Sequence, residues 1–240
     1  MGTFITPISN QDVRTTSSTQ NGTNLGAYAG TPDGKIYRYG LAGAVNLSPG
    51  KIVVTPAVVA NHQNRTTTAA AIGAFSVSLN IGATAMTLDQ YKDGYLTVND
   101  ATGEGISYLV EGNAASSGSA AVEVALAEPV KVALVASTSE ATLHVNPFAS
   151  VIISPSAVAH HAVGVPNVSI TAANYGWFQV NGYCSVLADG VIGKGSGAIL
   201  SDAVDGAVEV EVAGTVTQRV GTAVEATVDT EYRTIDLKMF

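Results

Sequence analysis

The sequence contains little charge. Asp, Glu, Lys and Arg make up 12% of its 240 residues, about half of the ~25% that is usual for soluble proteins. A free soluble surface normally carries roughly 25–35% of these residues, so much of this surface must consist of Ala, Gly, Ser, Thr and Val. Such a surface favours a protein whose faces are covered by other subunits. The alternative is a free protein that Ser, Thr and Asn side chains keep in solution.

Cysteine and long apolar runs are also scarce. Cys184 is the single cysteine, which excludes an intramolecular disulfide. The N-terminal residues lack the basic start and apolar run of a signal peptide. No run approaches the ~18 consecutive apolar residues of a membrane span. We therefore expect a protein that is made and folded in a cytoplasm and has no membrane partner.

The charges that are present have an uneven distribution. The formal net charge is −8, which argues against nucleic acid as a partner because phosphate binding needs a basic stripe. Residues 1–65 carry five basic and two acidic side chains, whereas the rest of the chain carries six basic and 17 acidic ones. The basic N-terminal segment and the acidic body are therefore expected to attract each other between subunits.

Signatures of catalysis and of metal or cofactor binding are missing from the sequence. It has no G-x-S-x-G, His-x-x-x-His or Cys-x-x-Cys motif. Gly193, Gly195 and Ala198 have the G-x-G-x-x-[GA] spacing of a dinucleotide-binding loop, but no helical pattern follows them, so we interpret the run Gly193–Gly197 as a β-turn. The sequence thus predicts a protein that is not an enzyme and holds no metal or cofactor. A polysaccharide hydrolase is the enzymatic alternative, and it would need two carboxylates about 5–9.5 Å apart in a cleft.

Apolar residues alternate with polar ones in several segments, as they do in half-buried strands. The alternation covers residues 75–81, 122–126, 130–134, 208–212 and 234–239. No window of helical length shows helical spacing. These patterns predict an all-β fold of roughly ten to fourteen short strands, arranged as β-sandwich or barrel modules.

Composition and one internal similarity suggest how the chain is divided. Residues 1–34 hold few large apolar side chains, which predicts an extended N-terminal arm that orders only against a partner. Residues 94–99 and 176–181 share the pattern Gly-aromatic-apolar-Thr/Gln-Val-Asn, as a duplicated module would. The similarity places a boundary near residue 150, between a β body of 35–150 and a second β module of 151–240. Chance similarity in a strand-rich chain is the alternative.

Residues 177–186, which include the single tryptophan, are predicted to form a strand with two different faces. Its even-numbered row is apolar and is assigned to the core, with Cys184 as a packed thiol and not a nucleophile. Its odd-numbered row has the composition of a contact surface. The candidate subunit or capsid contacts are Phe4, Ile5 and Arg14 in the arm and Trp177, Gln179 and Tyr183 in the odd row. The alternative is that the odd row packs inside the fold.

Three segments of the C-terminal third carry a resemblance to a known class of protein. They are Tyr175-Gly-Trp-Phe-Gln-Val-Asn-Gly182, Val220-Gly-Thr-Ala-Val-Glu225 and Asp229-Thr-Glu-Tyr-Arg-Thr-Ile-Asp-Leu237. In these segments the chain resembles structural proteins of tailed bacteriophages, and in particular the capsid decoration or cement proteins. The resemblance implies a non-enzymatic virion protein that binds the outside of the capsid. It also implies a homotrimer that clamps neighbouring capsomers, with the major capsid protein as partner.

The same resemblance leaves a second virion role open. A head fibre, a tail-tube protein or a receptor- or glycan-binding protein would also use exposed aromatic residues to contact subunits or glycans. Each of these roles implies a protein that is made in the host cytoplasm, and decoration implies a final location on the capsid surface.

Overall fold

The computed structural model describes residues 5–156, 161–212, 214 and 217–239, and nearly all regular structure in them is β-strand. Helical structure in these residues is confined to two 3₁₀ turns, Asp12–Arg14 and Ala60–His62. The predicted all-β fold is confirmed. None of the helical segments in the described ranges is long and apolar enough to cross a membrane.

The described residues form seventeen strands. In chain order they are β1 (Ile5–Pro7), β2 (Tyr28–Gly30), β3 (Ile36–Leu41), β4 (Val53–Val54), β5 (Arg65–Thr66), β6 (Ser76–Asn80), β7 (Tyr95–Asp100), β8 (Ser107–Asn113), β9 (Ala121–Leu126), β10 (Glu140–His144), β11 (Ile152–Ile153), β12 (Ala162–Pro166), β13 (Tyr175–Leu187), β14 (Gly197–Leu200), β15 (Val208–Val210), β16 (Arg219–Ala223) and β17 (Tyr232–Lys238).

The chain folds into two compact units, one of which is inserted in the sequence of the other. Unit 1 comprises residues 1–56 and 147–240, and unit 2 comprises residues 57–146. This division differs from the predicted one, because residues 35–56 pair with strands from the C-terminal part of the chain. β3 pairs with β13, and β4 pairs with β11 and β12.

Unit 1 is built around the long strand β13. Its sheet follows the order β1-β2-β3-β13-β17-β16-β14-β15, and β12 joins β4 and β11 to β13. The first half of β13 pairs with β3 and β12, and the second half pairs with β17. The predicted core row is buried as expected: Phe178, Val180, Cys184 and Val186. The predicted strand at 234–239 lies in β17, and that at 208–212 is represented by β15.

Unit 2 is a single antiparallel sheet that nearly closes into a barrel. Its strand order is β5-β10-β7-β8-β9-β6, and a bridge between Thr67 and Leu79 brings the two ends of the sheet together. Alternate residues of these strands point inward and form the core, as the period of two requires. The largest of them include Leu79, Leu96, Tyr108, Leu126 and Leu143. The strands predicted at 75–81 and 122–126 are confirmed as β6 and β9.

One predicted strand is a loop. Val130 and Leu134 are buried, but each forms backbone hydrogen bonds with a loop on the other side, to Ala74 and Ala70. The strand predicted at 130–134 is therefore wrong. A loop can also bury side chains at regular intervals, so the alternation did not require a strand. The turn prediction at 193–197 is confirmed: the Ser196 amide donates to the Gly193 carbonyl at 3.0 Å, and β14 follows directly. Gly195 has a φ of +82°, which glycine adopts without strain.

Residues 5–34 are part of unit 1 and pack against its sheet, which differs from the predicted extended arm. β1 pairs in parallel with β2, and Ser17 exchanges two backbone hydrogen bonds with Tyr175. Val13 is 2% exposed and packs in a cluster with Tyr39 and Trp177. The segment orders on its own chain because this aromatic cluster offers the apolar surface that its composition alone does not supply.

Candidate functional site

A surface depression on unit 1 contains three of the predicted contact residues. Its volume is about 510 Å³. The residues that line it are Arg14, Lys35, Pro49, Gly50, Asn167, Gln179, Tyr183, Cys184, Ser185 and Tyr232. We call it the basic depression. Residues from the N-terminal segment, from β13 and from β17 meet here because β13 lies between the other two.

The basic depression is positive within an acidic protein. Arg14 and Lys35 line it, and none of the described lining residues carries a carboxylate. Lys35 Nζ lies 3.2 Å from Asp33 Oδ2, whereas Arg14 is exposed and has no ion pair within the described ranges. Because Asp33 compensates Lys35, Arg14 supplies the net positive charge here, opposite in sign to the formal net charge of −8 of the whole chain. The depression is therefore suited to a partner that presents a carboxylate.

A buried hydrogen-bond network forms the floor of the basic depression. Gln179 Nε2 donates to the carbonyls of Asn181, Gly182 and Tyr183 at 3.1, 3.2 and 3.1 Å. Its Oε1 accepts from Asn167 Nδ2 at 3.0 Å, and the same nitrogen lies 3.0 Å from the Tyr37 hydroxyl oxygen. The network is fully internal, so it fixes the shape of the floor.

Gln179 therefore has a structural position and not the exposed one that the sequence predicted. It is 1% exposed. The pairing of β13 with β3 shifts register between Gln179 and Asn181, and Gly182 follows with a φ of +86°. The Gln179 amide donates to three carbonyls at this bulge, those of Asn181, Gly182 and Tyr183. Gln179 is thus a buried part of the floor of the basic depression and not an exposed side chain on an open face of β13.

Trp177 is also covered. It is 8% exposed and lies within 5.0 Å of Tyr39, measured between ring centroids, under the N-terminal residues. Of the predicted contacts in the odd row, only Tyr183 keeps an open position, with 59% of its surface exposed. The rule that odd residues share one face is correct for the second half of β13. In the first half of β13 the rule does not distinguish buried from exposed side chains, because the N-terminal segment covers Trp177.

The predicted contacts of the N-terminal segment have different positions. Arg14 is at the basic depression, and Ile5 is half-buried in β1, opposite Tyr28. Phe4 lies outside the described residues. Tyr232, which lines the same depression and is exposed, was missed by the sequence reasoning. The signal was present: extending the alternation of β17 backwards from Thr234 places Tyr232 on the outward face.

Cys184 is a protected thiol. Its Sγ contacts Asn167 Oδ1 at 3.5 Å and the Ser185 carbonyl at 3.6 Å. Burial raises the pKa of this thiol to about 12, and the nearby Lys35 lowers it only in part. Since the thiolate is the nucleophilic form, the geometry gives Cys184 a packing role.

The basic depression has neither the donor set of a metal site nor the carboxylate pair that a glycoside hydrolase needs. Within the described ranges, no group of three or more His, Cys, Asp or Glu side chains is arranged to hold a metal ion. The surface instead offers two cations, two exposed tyrosines and a rigid polar floor, a combination that is suited to binding another macromolecule. No protein-family model matches the chain, and comparisons with curated proteins and with solved structures found no match.

Proposed function

We propose that this chain is a non-enzymatic structural protein of a tailed-phage virion that binds the outside of the capsid and holds neighbouring capsomers together. The observation that supports it best is the basic depression with its exposed tyrosines, on a protein in which 12% of residues are charged. Tyrosine and arginine are enriched at protein–protein contacts because they bury large areas and keep a polar end.

Exposed apolar side chains on unit 2 support the same proposal. In the register of its sheet, His144 is opposite Tyr95, and Tyr95 is opposite Leu109. All three side chains are exposed, so they form a row across β10, β7 and β8 on the outer face of the barrel. Neighbouring exposed apolar side chains of this kind favour a surface that a partner covers.

The proposed partner is the major capsid protein, and the proposed contacts are Arg14, Lys35, Tyr183 and Tyr232. A homotrimer is the assembly that the resemblance implies, and with it a location on the capsid surface. The cation pair would attract carboxylates on the shell, and the two tyrosines would supply most of the buried area.

A second candidate function is another part of the virion, such as a head fibre, a tail tube or a receptor- or glycan-binding protein. The observation that favours it is a cavity lined by aromatic residues in unit 1, beside Trp177. Labelling of particles with an antibody against the chain, viewed by electron microscopy, distinguishes the two. Decoration predicts label over the whole head, whereas the second candidate predicts label at the tail or at single vertices.

The proposal is tested with the phage that encodes the chain. Particles without the gene should have bare heads that lose their DNA at a lower temperature, and purified protein should restore both properties. The variant Arg14→Glu/Tyr183→Ala should bind bare heads at least about tenfold more weakly, since interface anchors are worth about 2 kcal/mol or more. Lys131→Glu is the matched charge control, because Lys131 is exposed on unit 2. Unchanged heads after deletion, or equal binding by both variants, would contradict the proposal.

A further inference from the structure

A second cavity lies in unit 1 between the N-terminal residues and the sheet. Its volume is about 380 Å³, within the range of roughly 300–1,000 Å³ that is usual for small-ligand pockets. The residues that line it include Asp12, Thr15, Thr16, Tyr39, Tyr175 and Trp177. We call it the aromatic cavity. Its roof comes from the segment 6–23, and its floor comes from β2, β3 and β13.

Three aromatic rings form the floor of the aromatic cavity. The rings of Tyr39 and Tyr175 are stacked, with centroids 5.9 Å apart and planes 12° apart. The Trp177 ring is tilted by 58° against Tyr39. An apolar floor of this kind binds the flat, C–H-bearing face of a ligand.

Beside the aromatic cavity lies a buried polar group that the described residues do not satisfy. Tyr39 is 2% exposed, and its hydroxyl has no hydrogen-bond partner in the described part of the chain. Burial raises the pKa of this phenol, and the Asn21 backbone lowers it in part without meeting hydrogen-bond geometry. A buried hydroxyl without a partner is costly, so a small movement of the floor that exposes this hydroxyl to a ligand oxygen would be favourable.

Other polar side chains around the aromatic cavity are also unused. Thr15, Thr16 and Trp177 make no side-chain hydrogen bond within the described residues. Asp12 Oδ2 accepts from the Ser9 hydroxyl at 2.7 Å, which fixes its carboxylate at the rim. The cavity thus combines an apolar floor with several hydroxyl groups, one indole N–H and one carboxylate.

These groups restrict the chemistry of a ligand. Among the described residues no Lys, Arg or His lines the aromatic cavity, which disfavours a phosphate or a carboxylate. A quaternary ammonium ion would suit the rings and Asp12, but it has no acceptor for the Tyr39 hydroxyl. A pyranose ring has an apolar face for stacking and hydroxyl oxygens that both accept and donate. We propose that the aromatic cavity is a binding site for a neutral carbohydrate of about one or two sugar rings.

The site does not depend on capsid attachment. The basic depression and the aromatic cavity have no lining residue in common. A carbohydrate site and a capsid contact are therefore compatible on unit 1, and the failure of one proposal leaves the other intact. If both are correct, the protein carries a carbohydrate-binding function on a virion.

The test uses the fluorescence of Trp177, the single tryptophan of the chain. The full-length protein is titrated with maltose, lactose, cellobiose and N,N′-diacetylchitobiose, and with choline as a cationic control. We expect a saturable change in emission with at least one disaccharide, at up to about 10 mM ligand, and none with choline. Saturation-transfer NMR with the same disaccharide should show transfer to its ring protons.

Two matched variants make the test specific. Tyr39→Phe removes only the unpartnered hydroxyl, so it should weaken binding about three- to tenfold without lowering the melting temperature. Tyr183→Phe removes an exposed hydroxyl outside the aromatic cavity and should leave the affinity unchanged. The proposal is overturned if none of the four disaccharides binds by either method. It is also overturned if choline alone changes the emission, or if Tyr39→Phe binds as tightly as the unaltered protein.

Discussion

The amide of Gln179 is expected to be one of the most important polar groups for the stability of unit 1. Gln179→Met keeps the length and approximate volume of the side chain but removes both its donor and its acceptor. The carbonyls of Asn181, Gly182 and Tyr183 lose this donor, and Asn167 Nδ2 keeps only its bond to the Tyr37 hydroxyl.

The size of the effect follows from the number of bonds. An amide has two protons to share among the three carbonyls, and its oxygen accepts a bond from Asn167 at 3.0 Å and a long one from the Tyr37 hydroxyl at 3.5 Å, so the equivalent of about three hydrogen bonds is lost. At about 1 kcal/mol net for each, the free energy of unfolding should fall by about 3 kcal/mol. For domains of about 150–250 residues, 1 kcal/mol lowers the melting temperature by about 2–4 °C. The expected decrease is thus roughly 6–12 °C.

Trp177 lies in unit 1, so its fluorescence follows the unfolding of that unit without a signal from unit 2. The control is Gln20→Met, since Gln20 is an exposed residue with one hydrogen bond, to the Thr23 carbonyl. It should change the free energy of unfolding by less than about 0.5 kcal/mol. If Gln179→Met melts within about 2 °C of the unaltered protein, water satisfies the bulge and the structural role given to Gln179 is wrong.

Three further outcomes are expected. Val13→Ala should lower the free energy of unfolding of unit 1 by about 2 kcal/mol, because two buried methyl groups are lost; a loss below about 0.5 kcal/mol in urea titrations would show that the N-terminal segment is detached in solution. Cys184 should stay unlabelled by maleimide at about pH 8 until the protein unfolds, since burial raises the pKa of its thiol to about 12, and labelling of the folded protein would contradict this. Burial also raises the pKa of Tyr37 and Tyr91 from 10.0 to about 12. Between pH 10.0 and about 12 the folded state holds phenol protons that the unfolded chain has lost, so the free energy of unfolding should fall as pH rises. A urea midpoint that does not change with pH in this window would refute the prediction.

Local patterns were sufficient to predict the fold class and several strands. In β6, β9 and the second half of β17 every second residue is buried, and this alternation is visible in the sequence. The division into units was not predictable, because it depends on pairs such as that of β4 with β11 between residues that are far apart in sequence. A strand of two residues, such as Val53–Val54, carries no period of its own.

The local sequence pattern also predicted part of the candidate site. Alternation along β13 correctly placed Cys184 in the core and Tyr183 outside. It could not show that the segment around Val13 covers Trp177, since that contact is made by residues far away in the sequence. Nor could it show that a bulge at Gln179 creates a need for an internal amide.

The insertion of unit 2 between two paired strands has a consequence for the order of folding. If β4 and β11 pair first, they close a loop of about 100 residues; if unit 2 has already formed, the pairing of β5 with β10 shortens that loop to about 20. The entropy of closing the shorter loop is more favourable by roughly 1–1.5 kcal/mol. Unit 2 is continuous in sequence and needs no residue from the flanking segments to complete its sheet. During synthesis on the ribosome its barrel can therefore form while β11 to β17 are still to be made, and unit 1 closes last.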